Sequence, residues 1–232
     1  MARKPMVDPM EQVESGERQA VQMPLAVGRR WRVLIGCERS GVVRNAFTAA
    51  GHDAVSCDLE PSETPGQHHQ GSVLEILSDG WDLMIAHPPC RFLALSGARW
   101  AHDHVVKSKR RGDWSYDGKE YRKNRARALE FFRQLWNAPI PRICLENPSS
   151  LAATMFRRPD QVIQPYWFGH GQKKRTCLWL KNLPPLQTTN HVDGRDEFVL
   201  KVGPENPDRA AIRSKTFRGI AQAMAEQWAG IL

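Results

Sequence analysis

Hydrophobic positions in this chain fall into short runs separated by glycine, proline and polar clusters. Trp31-Arg-Val-Leu-Ile-Gly36 is an apolar run ending in glycine, which predicts a buried strand. From Gly41 to Ala50 apolar residues recur at helical spacing (Val42, Val43, Ala46, Phe47, Ala50), and Gly51 supplies a C-terminal stop. His52 to Cys57 predicts a second strand, closed by Asp58. Strand, glycine turn, helix and strand make one βαβ unit. The alternation continues with a short turn or helix over Val73–Leu77 and a strand over Trp81–Ala86 that runs into His87-Pro88-Pro89-Cys90. A helix is predicted over Arg125–Trp136, and a strand over Arg142–Leu145 that runs into Glu146-Asn147-Pro148. A strand pair is expected around Pro165–Trp167 and Thr176–Leu180, and a last helix from Thr216 to Trp228. This order predicts an α/β fold of the Rossmann-like kind, a mostly parallel sheet with helices on both faces. Residues 1–29 are polar and without period, and read as a disordered tail before one ordered domain over 30–232.

Charge changes the picture more than overall composition does. The 232 residues carry a net charge of +8, unevenly placed. Residues 31–98 hold four basic and eight acidic side chains, whereas residues 99–127 hold ten basic and four acidic. That basic stretch, interleaved with Trp100, Trp114, Tyr116 and Tyr121, is either a nucleic-acid surface or a solvated charged face. No apolar window is long enough to span a bilayer, and the N-terminal segment lacks an apolar core, so neither a membrane partner nor a signal peptide is expected. Five cysteines, an odd number without a CxxC pair, argue against a disulfide scaffold or a zinc ribbon and for a reducing, cytoplasmic setting. His68-His69 has no neighbouring acid or cysteine in sequence and reads as a solvated loop, so no metal is expected.

In an open α/β sheet, ligands bind outside the carboxyl ends of the strands. Three predicted strand ends carry unusual polar residues: Gly36-Cys-Glu-Arg-Ser-Gly41, His87-Pro-Pro-Cys90 and Glu146-Asn-Pro148. Gly36 and Gly41 would let a cofactor approach the backbone at a helix N-terminus, and Asp58, 22 positions after Gly36, is placed to hold ribose hydroxyls. The plainer reading is a tight βα turn and a helix cap. Two prolines would present Cys90 rigidly, or simply bury it after a stiff turn. Glu146 at the end of an apolar strand needs a partner, and a helix cap or a salt bridge to Arg142 would also serve. Cys37, Cys57, Cys144 and Cys177 read as structural.

Taken in order, these motifs resemble the cytosine-C5 DNA methyltransferases, and more closely the small phage- and prophage-type members of that superfamily. Gly36–Gly41 stands at the first motif, where the family's Phe-x-Gly-x-Gly is replaced. Pro88-Pro89-Cys90 followed by Ser96-Gly97-x-Arg99 resembles the catalytic loop, and Glu146-Asn147 the second catalytic motif. Gln172-Lys-Lys-Arg-Thr176 sits where the family has Gln-x-Arg-x-Arg, and Ser214–Trp228 where its final helix completes the cofactor pocket. The family's acid of the third motif is replaced by Ser72, and Cys177 and Ser214 stand only 37 positions apart, too close for a full-size target-recognition domain. The resemblance implies a methyltransferase fold over 30–232 with a basic insertion at 99–127. It also implies S-adenosylmethionine as cofactor, held by Gly36, Glu38, Gly41, Asp58 and Pro88. Double-stranded DNA would be the partner, and a monomer in a bacterial or phage-infected cell the setting.

On that reading Cys90 adds to cytosine C6, Glu146 stabilises charge at N3, and the target base is flipped out of the duplex. Arg99, Lys107, Lys109, Arg110, Arg111, Arg122, Lys123 and Arg125 would hold phosphates. An amino-methyltransferase is a rival reading, but His87 and Cys90 flank the prolines where that class has Asp or Asn and an aromatic ring. A non-catalytic DNA-binding protein of this fold is a second rival, and transfer of another group, or to RNA or nucleotides, a third.

Overall fold

A computed structural model describes residues 29–102, 106–107, 115–194, 196–197, 201–203, 206–207 and 209–229. The predicted tail lies outside the described residues up to position 28. Seven strands form one sheet: β1 (Arg32–Gly36), β2 (Asp53–Asp58), β3 (His68–Gln70), β4 (Leu83–Ala86), β7 (Arg142–Pro148), β8 (Gln161–Ile163) and β9 (Thr176–Lys181). Their spatial order is β3-β2-β1-β4-β7-β9-β8. The first five run parallel, and β9 is antiparallel to both β7 and β8. Two-residue strands β5 (Val106–Lys107) and β6 (Ser115–Tyr116) form a separate antiparallel pair. This is the mostly parallel, Rossmann-like α/β sheet that the order of elements predicts.

Alternation along the strands explains why helices cover both faces. Val33 and Ile35 of β1, with Leu83 and Ile85 of β4, point to one side. There they pack on Phe47 of α1 (Val42–Ala49) and on Met224 and Trp228 of the last helix, Arg218–Ala229. Leu34, Met84, Ile143 and Leu145 point to the other side, onto Leu129, Phe132 and Leu135 of α2 (Gly118–Trp136). Each such fully buried side chain contributes about 1.5–3 kcal/mol.

The structure departs from the sequence reading in four elements. α2 starts seven residues before Arg125, because Asp117 caps it by accepting the Lys119 N–H at 2.8 Å and Tyr121 supplies an earlier buried contact. Pro165–Trp167 is a 3₁₀ turn rather than a strand; Pro165 has no N–H to give a ladder, and the pairing strand is Gln161–Ile163. The helical region before the last helix contains a separate short helix, Arg209–Ser214. His68 and His69 lie in edge strand β3 rather than in a solvated loop, with the His68 ring between Ser56 Oγ (2.9 Å) and the Glu60 carbonyl (3.0 Å).

Candidate active site

The strand order reverses direction at β1: one crossover leads to β2 on one side, the next to β4 on the other. The crevice at such a switch point opens at the carboxyl ends of the strands. In register, Cys57 lies beside Gly36, Gly36 beside Ala86, and Ala86 beside Leu145. The residues just beyond therefore form a row across four neighbouring strands: Asp58, Cys37, His87 and Glu146. At about 4.8 Å per strand, the row spans roughly 14 Å of backbone.

At one end of the row, Asp58 accepts the Glu60 N–H through one carboxylate oxygen, at 3.0 Å. Leu59 beside it is 73% exposed. A carboxylate next to an exposed apolar side chain suits the ribose and base of a nucleoside, so this end fits an S-adenosylmethionine-type cofactor. The preceding loop serves mainly its own packing. A Cβ on Gly36 would stand 3.0 Å from Val73 Cγ2 and 3.2 Å from Ala86 Cβ. Gly41 adopts a φ of +70°, and a Cβ there would collide with Arg44 and Thr64. Glu38 is buried and caps α1: it accepts N–H bonds from Val43 (2.8 Å) and Arg44 (3.2 Å) and the Ser40 hydroxyl (3.0 Å). Cys37 is held at a positive φ of 57°, and burial first, then the Asp58 charge, push its thiol up to about 12. It is no nucleophile at neutral pH.

Arg44, unremarked in the sequence, organises the loop after β2. The residue is fully buried, and among the described residues no carboxylate pairs with its guanidinium. It donates instead to the carbonyls of Thr64 and Pro65 and to the hydroxyls of Ser56, Ser62 and Thr64. Loop residue Glu63 then pairs with Arg39 at 2.8 Å and with Lys215 at 2.6 Å, just before the last helix.

The other end of the row holds the candidate chemistry. The parallel ladder between β4 and β7 ends at Ala86 and Leu145. Beyond it β7 continues on β9 alone, pairing Glu146 with Leu178 and Asn147 with Cys177. The prolines carry the other chain away, which leaves a gap on that flank of Glu146. Into it turns His87, whose Nδ1 lies 3.1 Å from Glu146 Oε2, with side chains only 9% and 13% exposed. His87 Nε2 and Asn147 Oδ1 are buried without a hydrogen-bond partner among the described residues. Pro88 is buried, and its carbonyl accepts the Asn147 side-chain N–H at 2.8 Å, which ties the proline loop to β7. Cys90 is exposed. Its loop is fixed by buried Leu93, by N–H bonds from Leu93 and Ala94 to its carbonyl, and by the Leu151 N–H to the Leu93 carbonyl.

Electrostatics connect these groups. Desolvation, then the Glu146 charge, raise the Cys90 thiol, while Lys174 and Arg213 pull it down. For Glu146 desolvation is the largest influence and raises its carboxyl, but the His87 hydrogen bond and the Lys174 charge outweigh it, and the net shift is downward. Glu146, Lys174 and Thr176 line a small open pocket with Thr216, Phe217, Ile220 and Met224 of the last helical region. Lys174 donates to the Lys215 carbonyl at 3.2 Å. His87, Lys174 and Arg213 are site residues that sequence reasoning missed. Only the first two stood inside motifs that were already singled out. Cys144 and Cys177 are buried in the sheet. Arg142 lies over the Trp31 ring rather than beside Glu146.

The basic stretch is only partly described. Lys109, Arg110, Arg111 and Trp114 lie outside the described residues; Lys107 is in β5. Arg99 is exposed, with its guanidinium over Trp100, and Lys123 is exposed on α2. Arg122 donates to the Ala101 carbonyl. Arg125 is half-buried, stacked on Tyr121 and directed at the Ala98 carbonyl. Tyr121 is buried rather than available to stack on a base, and its hydroxyl donates to the Arg91 carbonyl at 3.2 Å. Several of these residues thus brace the Cys90 loop.

No family model matches the chain, and no curated protein matches it. Among solved structures it is similar to the S. pombe Dnmt2 methyltransferase, with a TM-score of 0.43, 14% identity and 68% of this chain covered. It is also similar to a mutant of Spodoptera frugiperda DNMT2, with a TM-score of 0.36, 12% identity and 77% of this chain covered. It spans 51% of the first of those chains and 61% of the second. No helix among the described residues is long and apolar enough to cross a membrane.

Proposed function

We propose that this protein is an S-adenosylmethionine-dependent methyltransferase that modifies cytosine C5 in DNA through a covalent adduct with Cys90. One observation carries the reading: Asp58, the proline loop that bears Cys90, and Glu146, far apart in sequence, all lie toward the carboxyl edge of the adjacent parallel strands β2, β1, β4 and β7. The cofactor, when bound, supplies an electrophilic methyl group. Asp58 would hold its ribose hydroxyls, with Leu59 against the base. The Cys90 thiolate forms a bond to C6 of the cytosine, and the C5–C6 π electrons become available at C5. Glu146 holds a proton at N3, which prevents charge accumulating on the ring. Once C5 carries the methyl group, its hydrogen leaves as a proton to water and the C6–Sγ bond breaks. A cytosine in a duplex must be flipped out to reach Cys90. Arg99, Lys123 and the remaining basic residues of 99–127 would hold the flanking phosphates.

The test is a duplex carrying 5-fluorocytosine. Fluorine cannot leave C5 as a cation, so wild-type protein should remain bonded to the DNA through denaturation, and Cys90→Ser should form no adduct. Cys144→Ala, in the sheet core, is the control and should still form it. Adduct formation on RNA but not on DNA would move the substrate to RNA. Methyl transfer by Cys90→Ser would end the covalent reading.

A further inference from the structure

We propose that His87 is the positioning residue and proton reserve for Glu146: one proton, carried by the imidazolium, is passed through the carboxyl to the N3 atom of the target base. This rests on the cytosine-C5 reading above. The geometry comes first. His87 Nδ1 and Glu146 Oε2 are 3.1 Å apart, and both side chains are close to fully enclosed. Among the described residues, His87 is the titratable side chain that hydrogen-bonds to that carboxylate. The second ring nitrogen, Nε2, is buried without a partner among them. Leaving one nitrogen of a buried imidazole without a partner has a desolvation cost, and an exception of that kind calls for an explanation.

The chemistry demands such a reserve. Glu146 can protect N3 only as an acid, yet its environment favours the carboxylate. The Cys90 thiol, in turn, is held up partly by the Glu146 negative charge. A single proton shift answers both needs. The proton on His87 Nδ1 moves to Glu146, leaving a neutral imidazole. The carboxyl then protonates N3 as the Cys90 Sγ–C6 bond forms, and the Cys90 thiol proton leaves to water. When C5 has lost its own proton to water and the C6–Sγ bond breaks, the N3 proton returns through Glu146 to His87. The charged and titratable groups around the pair are Lys174 before β9, Cys90 after β4, Cys144 on β7 and Cys177 on β9. Arg213 acts on Cys90 as well, and of all these groups His87 is the one hydrogen-bonded to the Glu146 carboxylate.

The substitution that separates positioning from proton supply is His87→Asn. Its amide nitrogen can replace Nδ1 as a hydrogen-bond donor to Glu146 but carries no titratable proton. Wild-type transfer should fall at alkaline pH with the loss of one proton. His87→Asn should keep cofactor affinity and thermal midpoint, lose roughly 100-fold in turnover, and lose that alkaline limb. His87→Leu should fall at least as far. Wild-type turnover and an unchanged pH profile in His87→Asn would overturn the proposal while wild-type adduct formation left the C5 reading standing. The reverse failure is distinguished without nucleic acid. Histidine-selective 15N NMR of the free full-length protein should show a hydrogen-bonded His87 Nδ1 whose resonance moves in Glu146→Gln. No response to Glu146→Gln overturns the pairing, whatever the substrate proves to be.

Discussion

Glu38 separates a structural role from a ligand role with a single substitution. Its position in the first motif resembles a cofactor contact, but its carboxylate is spent on the first turn of α1. It accepts the N–H groups of Val43 at 2.8 Å and Arg44 at 3.2 Å, and the Ser40 hydroxyl at 3.0 Å. Only 5% of the residue is exposed, so water cannot replace a lost acceptor. Glu38→Gln keeps one oxygen and puts an NH₂ against the other donor. A helix cap is worth about 0.5–2 kcal/mol, a hydrogen bond to a charged group about 1.5–3 kcal/mol, and the charge at the helix N-terminus about 0.3–1 kcal/mol. Because one oxygen survives, the expected loss is about 2–3 kcal/mol. For a chain of this size that is a fall in Tm of about 4–12 °C. Urea denaturation measures the loss, and calorimetry with S-adenosylmethionine measures affinity at a temperature where the variant is folded. Stability should fall while affinity changes little. A variant less than about 0.5 kcal/mol destabilised that nevertheless fails to bind the cofactor would refute the capping argument.

Other outcomes follow from the same geometry. Desolvation and the Glu146 charge raise the Cys90 thiol, so iodoacetamide should alkylate it only as pH climbs beyond the usual cysteine range. Glu146→Gln should move that profile to lower pH, and Lys174→Met should move it higher; an unmoved profile in both would sever Cys90 from these charges. Asp58→Ala should weaken S-adenosylmethionine binding by about 1.5–3 kcal/mol, and unchanged affinity by calorimetry would transfer the ribose contact elsewhere. Removal of one phosphate-binding cation, by Arg99→Ala or Lys123→Ala, should flatten the log–log salt slope of DNA binding by about 0.9, with no change in sequence preference. The triple replacement of Lys109, Arg110 and Arg111 by Ala should do the same more strongly. Equal slopes in wild type and variants would make the stretch a solvated face.

Local pattern alone determined the strands β1, β2, β4, β7 and β9 and helix α1. Each is an apolar run or periodic face bounded by glycine, proline or an acid, and those signals act within a few residues. It also showed that Asp58, Cys90 and Glu146 each follow an apolar run, because polar residues at the close of such runs are visible without a fold; that β7 continues through Glu146 to Pro148 on β9 was not. Three-dimensional contacts decided the rest. The proline turn at Pro165 and the early start of α2 depend on which neighbour is available to pair or pack. That Glu38 caps α1 and that Arg44 and Thr64 crowd Gly41 is visible only in three dimensions. The basic run reads as one surface, yet Arg122 and Arg125 turn to carbonyls of the Cys90 loop. His87 and Glu146 are 59 positions apart, and no spacing rule connects them. They meet because β4 and β7 are neighbours in register and β7 outruns β4 by the residues that the prolines deny it.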